Sequence, residues 1–440
     1  MRILILSFSI LVVQNLIAQT NNYDQGCDAA KRPIVFVHGF LGSGDNWASQ
    51  IQRFSSNGYC NQRMFLFDWN TINRSKATDS LLNVFIDKVL LKTNATQVDL
   101  IAHSAGGGLC YNYLNDSAHA LKVAHYVHIG SGKMKAAAGQ QVQVKTMNVY
   151  SKSDMVVKTG GDIPGAVNVV LQKADHMQVA TSEETFVHLY KFLNDNQNTL
   201  TTKIISPENP NSYVSLSGKG VTLGENNPLE LDSFNVYIFN PATGKRNLIE
   251  RNVNSKGAYT GWTKFAKDGS FSFNISTKSY FEFEVHPKNG RTVYYFFEPI
   301  KRGHNAIYLR AFPSSGMIAS VLSQIPKDEQ QTALVIFNTN QAIVAGRDSL
   351  AIDSIPLSTQ LIAPASKTMI ATFLFDDKND SISTSNPIQA FSGLPFLGSA
   401  DIHIPADDKS TMRIYYNGRT MVLPRRPSSE GVMIAVFQAP

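Results

Sequence analysis

The sequence predicts a mostly parallel α/β sheet over roughly residues 30–195, followed by an all-β region that runs to the end of the chain. Three observations carry this reading. Strand and helix signals alternate through the first region. That alternation stops at a polar stretch with Asn-Pro and Ser-Pro pairs, residues 194–212. Beyond it there is almost no helical periodicity, and short alternating segments separated by turn dipeptides take its place. With 440 residues the chain is too long for one compact core, so two or three domains are expected.

Pro33-Ile34-Val35-Phe36-Val37 is a continuous apolar run, as expected of a strand covered on both faces. Residues 45–56 are helical in pattern and stop at Asn57-Gly58. Residues 64–67 form the next strand. Leu81, Leu82, Phe85, Ile86, Val89 and Leu90 then recur at helical spacing as one apolar face. A strand at 98–102 leads into a helix at 105–114, strands follow at 123–129, 146–150 and 167–171, and a helix at 186–193 closes the region. Such alternation points to helices on both faces of a parallel sheet.

Past the linker, strands are expected at 234–239, 270–275, 280–285 and 292–297, punctuated by Asp268-Gly269 and Asn289-Gly290. More follow at 333–337, 369–375, 412–416 and 432–437, the signature of a β-sandwich or barrel. Phe312-Pro313-Ser314-Ser315-Gly316 divides this region into modules 199–312 and 313–440, after a first domain at 19–198.

Apolar residues make up 43% of the chain, enough for sizeable cores, and the net charge is +6. The excess is spread evenly, with 17 Lys+Arg against 14 Asp+Glu up to residue 202 and 23 against 20 beyond. No basic cluster with interleaved aromatics suggests a nucleic-acid partner. Residues 1–18 read as a signal peptide: Arg2 starts it, residues 3–13 are its apolar stretch, and Leu16-Ile17-Ala18 precede the cut. A secreted or extracytoplasmic protein is expected, with no later transmembrane segment. Of the three cysteines, Cys27 and Cys60 are the candidate disulfide pair, and Cys110 on the helix after residue 104 is a core residue. No Cys or His spacing suggests a metal site, and no cofactor is expected.

The strongest local signal is Val98-Asp99-Leu100-Ile101-Ala102-His103-Ser104-Ala105-Gly106-Gly107-Gly108. A strand runs into a sharp turn and a helix starts directly after Ser104. This is the G-x-S-x-G nucleophile elbow of the α/β-hydrolase fold, with Ala102 in place of the first glycine. Small residues flank the serine because only they let the strained turn close. A serine hydroxyl needs a positioned imidazole to remove its proton. The chain order Ser…Asp…His selects His176, which follows a strand and precedes the last helix of the region. His188 falls inside that helix, and His103 sits at an elbow position that cannot face the serine. The acid that orients the base is Asp154, in a strand-end loop; Asp162 is the runner-up, and Asp175 reads as a loop former. Backbone N–H groups of Ala105 and of the His38-Gly39-Phe40-Leu41-Gly42 loop are placed to receive an oxyanion, with Phe40 the usual donor and Leu41 the alternative. Phe40, Leu41, Trp69, Ile72, Met155 and Met177 are expected at an apolar substrate rim.

The set Ser104, Asp154 and His176, with Val37-His38-Gly39 and Ala102-His103-Ser104-Ala105-Gly106, resembles the small, nearly lid-less bacterial lipases over about residues 30–195. The whole chain resembles the Archaeoglobus-type long-chain lipases, in which such a core precedes a C-terminal β-barrel lipid-binding domain. The segments that carry this are F-S-S-N-G-Y from Phe54, D-H-M-Q-V-A-T-S from Asp175, Y-Y-F-F-E-P-I from Tyr294, Asp376-Asp377 and Pro395-Phe396-Leu397. The resemblance implies a secreted serine carboxylester hydrolase acting on lipid acyl esters, with the lipid or an aggregate surface as partner. It also implies a β region that covers or extends the acyl-binding surface and engages lipid; that region is itself rich in aromatics expected to be exposed, such as Phe391, Phe396 and Tyr415. An esterase for short, aromatic or polymeric esters shares every one of these residues; an amidase, an acyltransferase and an inert binding protein are the more distant alternatives.

Overall fold

The structure, a computed structural model, describes residues 27–75, 77–139, 141–206, 213–253, 266–313 and 315–438. The expected signal peptide lies outside the described residues. Six strands form one sheet: β1 (Ile34–Val37), β2 (Met64–Phe67), β3 (Val98–His103), β4 (Val123–Ile129), β5 (Lys145–Ser151) and β6 (Val167–Leu171). They lie in the order β2-β1-β3-β4-β5-β6 and every pairing is parallel. The continuous apolar runs follow from that topology, because β1 and β3 are buried along their whole length. Ile34 and Phe36 face one core with Trp47 and Phe54, while Val35 and Val37 face the other with Leu82 and Ile86.

The residues expected as one helix at 45–56 divide into a 3-10 turn, Gly44–Trp47, and helix α1, Ala48–Ser56. In helix α2, Ala77–Thr93, the buried stripe is Leu82, Ile86 and Val89, and Leu81 is exposed beside it. Helix α3, Ala105–Tyr113, starts where β3 turns. Cys27 and Cys60 are disulfide-bonded, and Cys110 is buried and free.

Among the described residues the second half holds three further sheets. Ser270–Ser276, Tyr213–Thr222 and His304–Ala311 form a three-stranded one. Ile355–Pro356, Leu350–Ile352, Asp407–Tyr416 and Arg419–Arg425 form a four-stranded one. Between them an eight-stranded sheet runs in the order Leu397–Asp401, Ala371–Phe375, Leu334–Asn338, Val432–Phe437, Val293–Phe297, Tyr280–Pro287, Leu231–Phe239, Arg246–Val253. Val432–Phe437 pairs in parallel with both Val293–Phe297 and Leu334–Asn338, so this sheet crosses residue 312 without a break.

Apolar packing also crosses the linker. Leu41 and Met177 of the first region belong to the β core, and Val221, Ala306 and Tyr308 of the β region belong to the α/β core. Phe391 and Phe396, expected as exposed aromatics, are buried in the β core, whereas Tyr415 is exposed. Alternation along a strand separates two faces; it does not say which of them meets another layer. Among the described residues no helix is long and apolar enough to cross a membrane.

Candidate active site

Ser104 sits between β3 and α3 at φ 54°, ψ −124°, a region that a non-glycine residue occupies only where its surroundings enforce it. The surroundings do. Ser104 N–H donates to Ile129 O at 2.9 Å, and Ser131 Oγ donates to Ser104 O at 2.5 Å. A Cβ on Gly106 would lie 2.5 Å from His38 O, and one on Gly39 would lie 2.8 Å from Ser104 Cβ. The small residues of the elbow are therefore required by close backbone approach between β1, its following loop and α3.

His176 Nε2 lies 2.9 Å from Ser104 Oγ, and His176 Nδ1 lies 2.7 Å from Asp154 Oδ2. The other Asp154 oxygen accepts the Val156 and Val157 N–H groups at 2.8 and 2.9 Å. Burial pushes the Asp154 carboxyl up, yet the His176 contacts and these two N–H bonds hold it below the usual carboxylate range. Asp162, the alternative acid, instead accepts the Tyr150 hydroxyl at an exposed site. His103 packs under the base: its ring centroid is 4.6 Å from that of His176, and its Nε2 is 2.9 Å from His176 O. Burial drives the His103 pKa down to about 3, so it is a neutral prop there. His188 is half-buried within the helix Glu183–Leu193. Asp175 does shape its loop, accepting the Met177 and Gln178 N–H groups at 2.9 Å each. It also accepts Arg347 Nη1 at 2.7 Å, a long-range contact that loop chemistry alone does not imply.

In the loop after β1, Leu41 N–H donates to Thr71 Oγ1 at 3.0 Å, so that donor is committed. Of the residues expected at the rim, Phe40, Ile72 and Met155 are 40–41% exposed, and Val156 beside Met155 is 41% exposed. Three residues expected on the rim lie elsewhere. Trp69 is buried behind the loop, stacked on His38 with its Nε1 donating to His38 O at 3.0 Å. It supports the loop because an indole finds its N–H partner inside the fold. Leu41 and Met177 are buried where the β region packs against the core.

A small cavity of about 50 Å³ lies between the loop after β1 and the β region. Leu41 and Gly42 form one side, and Phe396, Phe373, Val335 and Ile434 form much of the rest. The Phe396 ring stacks over His176, centroids 6.0 Å apart, and so joins the cavity to the base. Phe396, expected as an exposed aromatic, is instead a buried ring that lines the cavity beside His176. Among the described residues no group of three His, Cys, Asp or Glu side chains is placed to hold a metal ion.

Three family models match successive, partly overlapping stretches of the chain. The family model of the alpha/beta hydrolase fold matches residues 32–240, and that of the lipase C-terminal domain matches residues 212–313. A third, described as a C-terminal domain, matches residues 320–438. Among solved structures, lipase B of Aspergillus fumigatus is 13% identical with a TM-score of 0.31; the match covers 42% of this chain and 56% of the fungal one. The mature lipase BlEst2 of Bacillus licheniformis is 16% identical at a TM-score of 0.31, over 38% of this chain and 94% of its own. Carboxylesterase CesB of Bacillus subtilis is 13% identical at 0.31, over 39% and 87%. The chain is a lipase-like α/β hydrolase, with its core followed by a lipase C-terminal domain.

Proposed function

We propose that the protein is a secreted serine hydrolase that cleaves carboxylic esters of long-chain acyl groups. The observation that carries this is the hydrogen-bonded chain Ser104–His176–Asp154 on a strained elbow, with Phe396, stacked on His176, lining an apolar cavity beside it. His176 Nε2 takes the Ser104 proton as Oγ attacks the ester carbonyl, and Asp154 fixes the tautomer and stabilises the imidazolium. The oxyanion falls to the N–H groups of Ala105 and Phe40, since the Leu41 N–H is already engaged. His176 then protonates the leaving alkoxide, and water, activated by the same base, releases the acid from the acyl-enzyme. The acyl chain lies against Leu41, Phe396 and the β strands behind them, and the exposed Phe40, Ile72, Met155 and Val156 meet the lipid surface. The Cys27–Cys60 bridge suits an extracellular setting.

Ser104→Ala and His176→Ala are expected to lower turnover of p-nitrophenyl esters by about 10⁴-fold or more, with the fold intact by circular dichroism. Across an acyl series from C4 to C16, kcat/KM should rise with chain length. Near-normal turnover by Ser104→Ala would refute the nucleophile, and a C4 optimum would refute the long-chain preference.

A further inference from the structure

We propose that the first β module forms part of the catalytic machinery, with Asn226 as the positioning residue that holds the oxyanion loop in its working shape. This deepens the ester-hydrolase reading and rests on Phe40 being an oxyanion donor.

Asn226 lies in the turn after the strand Tyr213–Thr222, at φ 56°, a left-handed conformation that Asn tolerates better than most residues. Its side chain leaves its own module and enters the α/β core. Nδ2 donates to Gly42 O at 3.0 Å and to Trp69 O at 2.9 Å, and lies 3.5 Å from His38 Nε2. Oδ1 accepts the Ser43 hydroxyl at 2.5 Å. One primary amide thus links both ends of the His38–Ser43 loop to the loop after β2.

A second link runs through the same turn. Gly224 O accepts the Thr71 N–H at 3.0 Å and the Thr71 hydroxyl at 2.7 Å. Thr71 Oγ1 in turn accepts the Leu41 N–H. Leu41 sits at φ 57°, unusual for a leucine, so the peptide that follows Phe40 is held in a conformation it would not keep alone. Gly224 has to be glycine: its φ is +79°, and a Cβ would meet Leu41 Cδ2 at 2.8 Å and Ile72 Cδ1 at 2.9 Å.

Two ionic contacts brace the loop from the same module. Arg310 grips Asp45 through both Nη atoms, at 2.8 and 2.5 Å, in a fully buried pair. Lys219 and Tyr308 reach Asp68 Oδ2 at 2.6 and 2.8 Å, while Asp68 Oδ1 accepts the Gly44 N–H at 3.1 Å. The Phe40 donor is therefore flanked on both sides by groups that take their partners from residues 213–313. An oxyanion donor works only at the right distance, and a displacement near 1 Å can cost about 10²-fold in rate.

The test uses the full chain and two variants. Asn226→Gly keeps the backbone conformation and removes the amide, while Thr71→Val removes only the relay between Leu41 and Gly224. Active sites are counted with a serine-directed phosphonate, so that rates refer to folded enzyme. In each variant kcat on a soluble p-nitrophenyl ester should fall about 10- to 100-fold with KM nearly unchanged. Affinity for a trifluoromethyl ketone, whose adduct carries the oxyanion, should fall by the same factor. Wild-type kcat per titrated site in both variants overturns the proposal. So does a loss confined to the yield of folded protein. Failure of the phosphonate to label wild-type Ser104 would instead refute the hydrolase reading beneath it.

Discussion

The oxyanion side and the base side of the candidate site are both held from the β region, but by different parts of it and by different forces. On the oxyanion side the partners come from residues 213–313 and lie inside the protein: the Asn226 amide and the buried Arg310–Asp45 pair. On the base side they come from residues 338–348. Asn340 O accepts the Thr181 hydroxyl, Gln341 pairs with Gln178 at 3.2 Å, and Ala342 N–H and Arg347 both reach Asp175. Arg347 is 34% exposed, so its pair with Asp175 is partly screened by water, unlike the Arg310 pair at 9%. Asp154 accepts the backbone N–H groups of Val156 and Val157 from its own loop. The loop proposed to offer the oxyanion donor is thus fixed by dry contacts, and the loop that carries His176 is fixed by wetter ones.

The largest expected effect lies on the dry side. Arg310→Met leaves Asp45 buried without its counter-charge, which costs about 3–5 kcal/mol; adding Asp45→Asn should recover part of that loss. Urea unfolding of the single and double variants measures both. A single-variant loss below about 1 kcal/mol would erase the difference between the two sides.

The next effect is a pH dependence rooted under the base. His103 has its pKa lowered from an ordinary 6.5 to about 3, with burial the main cause and His176 adding to it. The folded state keeps it neutral while the unfolded chain protonates it. Its contribution to stability is therefore complete above pH 6.5 and is lost as pH falls from 6.5 toward 3, by up to about 1.4 kcal/mol per pH unit. His304, in the β region, is driven to about 3 by burial alone and adds a second proton to the same window. His103→Asn should flatten the acid limb of stability by one proton, read from urea midpoints between pH 7 and 4. An unchanged slope would show that His103 is not the neutral prop its burial makes it.

The smallest effect is expected on the wet side. Arg347→Gln removes one donor to Asp175, which still accepts from Met177, Gln178 and Ala342. A loss of about 1 kcal/mol and a few-fold fall in kcat are expected. A larger fall in kcat than Asn226→Gly produces would reverse the ranking of the two sides.

Much of this arrangement was readable from local pattern. The elbow announces itself because strand, small residues, serine and helix must be consecutive, and Asp154 and His176 follow because the fold fixes the order of strand-end loops. The structure brings these three together. What local pattern does not contain is pairing across distance. Val293–Phe297 lies beside Val432–Phe437, and no signal in either strand names the other. Trp69 looks like any loop aromatic until His38 is seen beneath it. Asn226, in Gly224-Glu225-Asn226-Asn227, has the composition of an ordinary turn, and only its partners distinguish it.

The cavity wall has a consequence for how the protein would choose among substrates. Tyr295, Val335, Ala371, Leu397 and Ile434 line it from five adjacent strands of the eight-stranded sheet. Those strands are joined by backbone hydrogen bonds from Leu397–Asp401 through Val293–Phe297, so this wall has no seam along which one module could rotate away from the other. A wall of that kind works as a ruler rather than a jaw: its depth is set by which side chains stand on each strand. If the cavity takes the acyl chain as proposed, selectivity for its length is a property written residue by residue along a sheet, to be adjusted by changing one rung at a time.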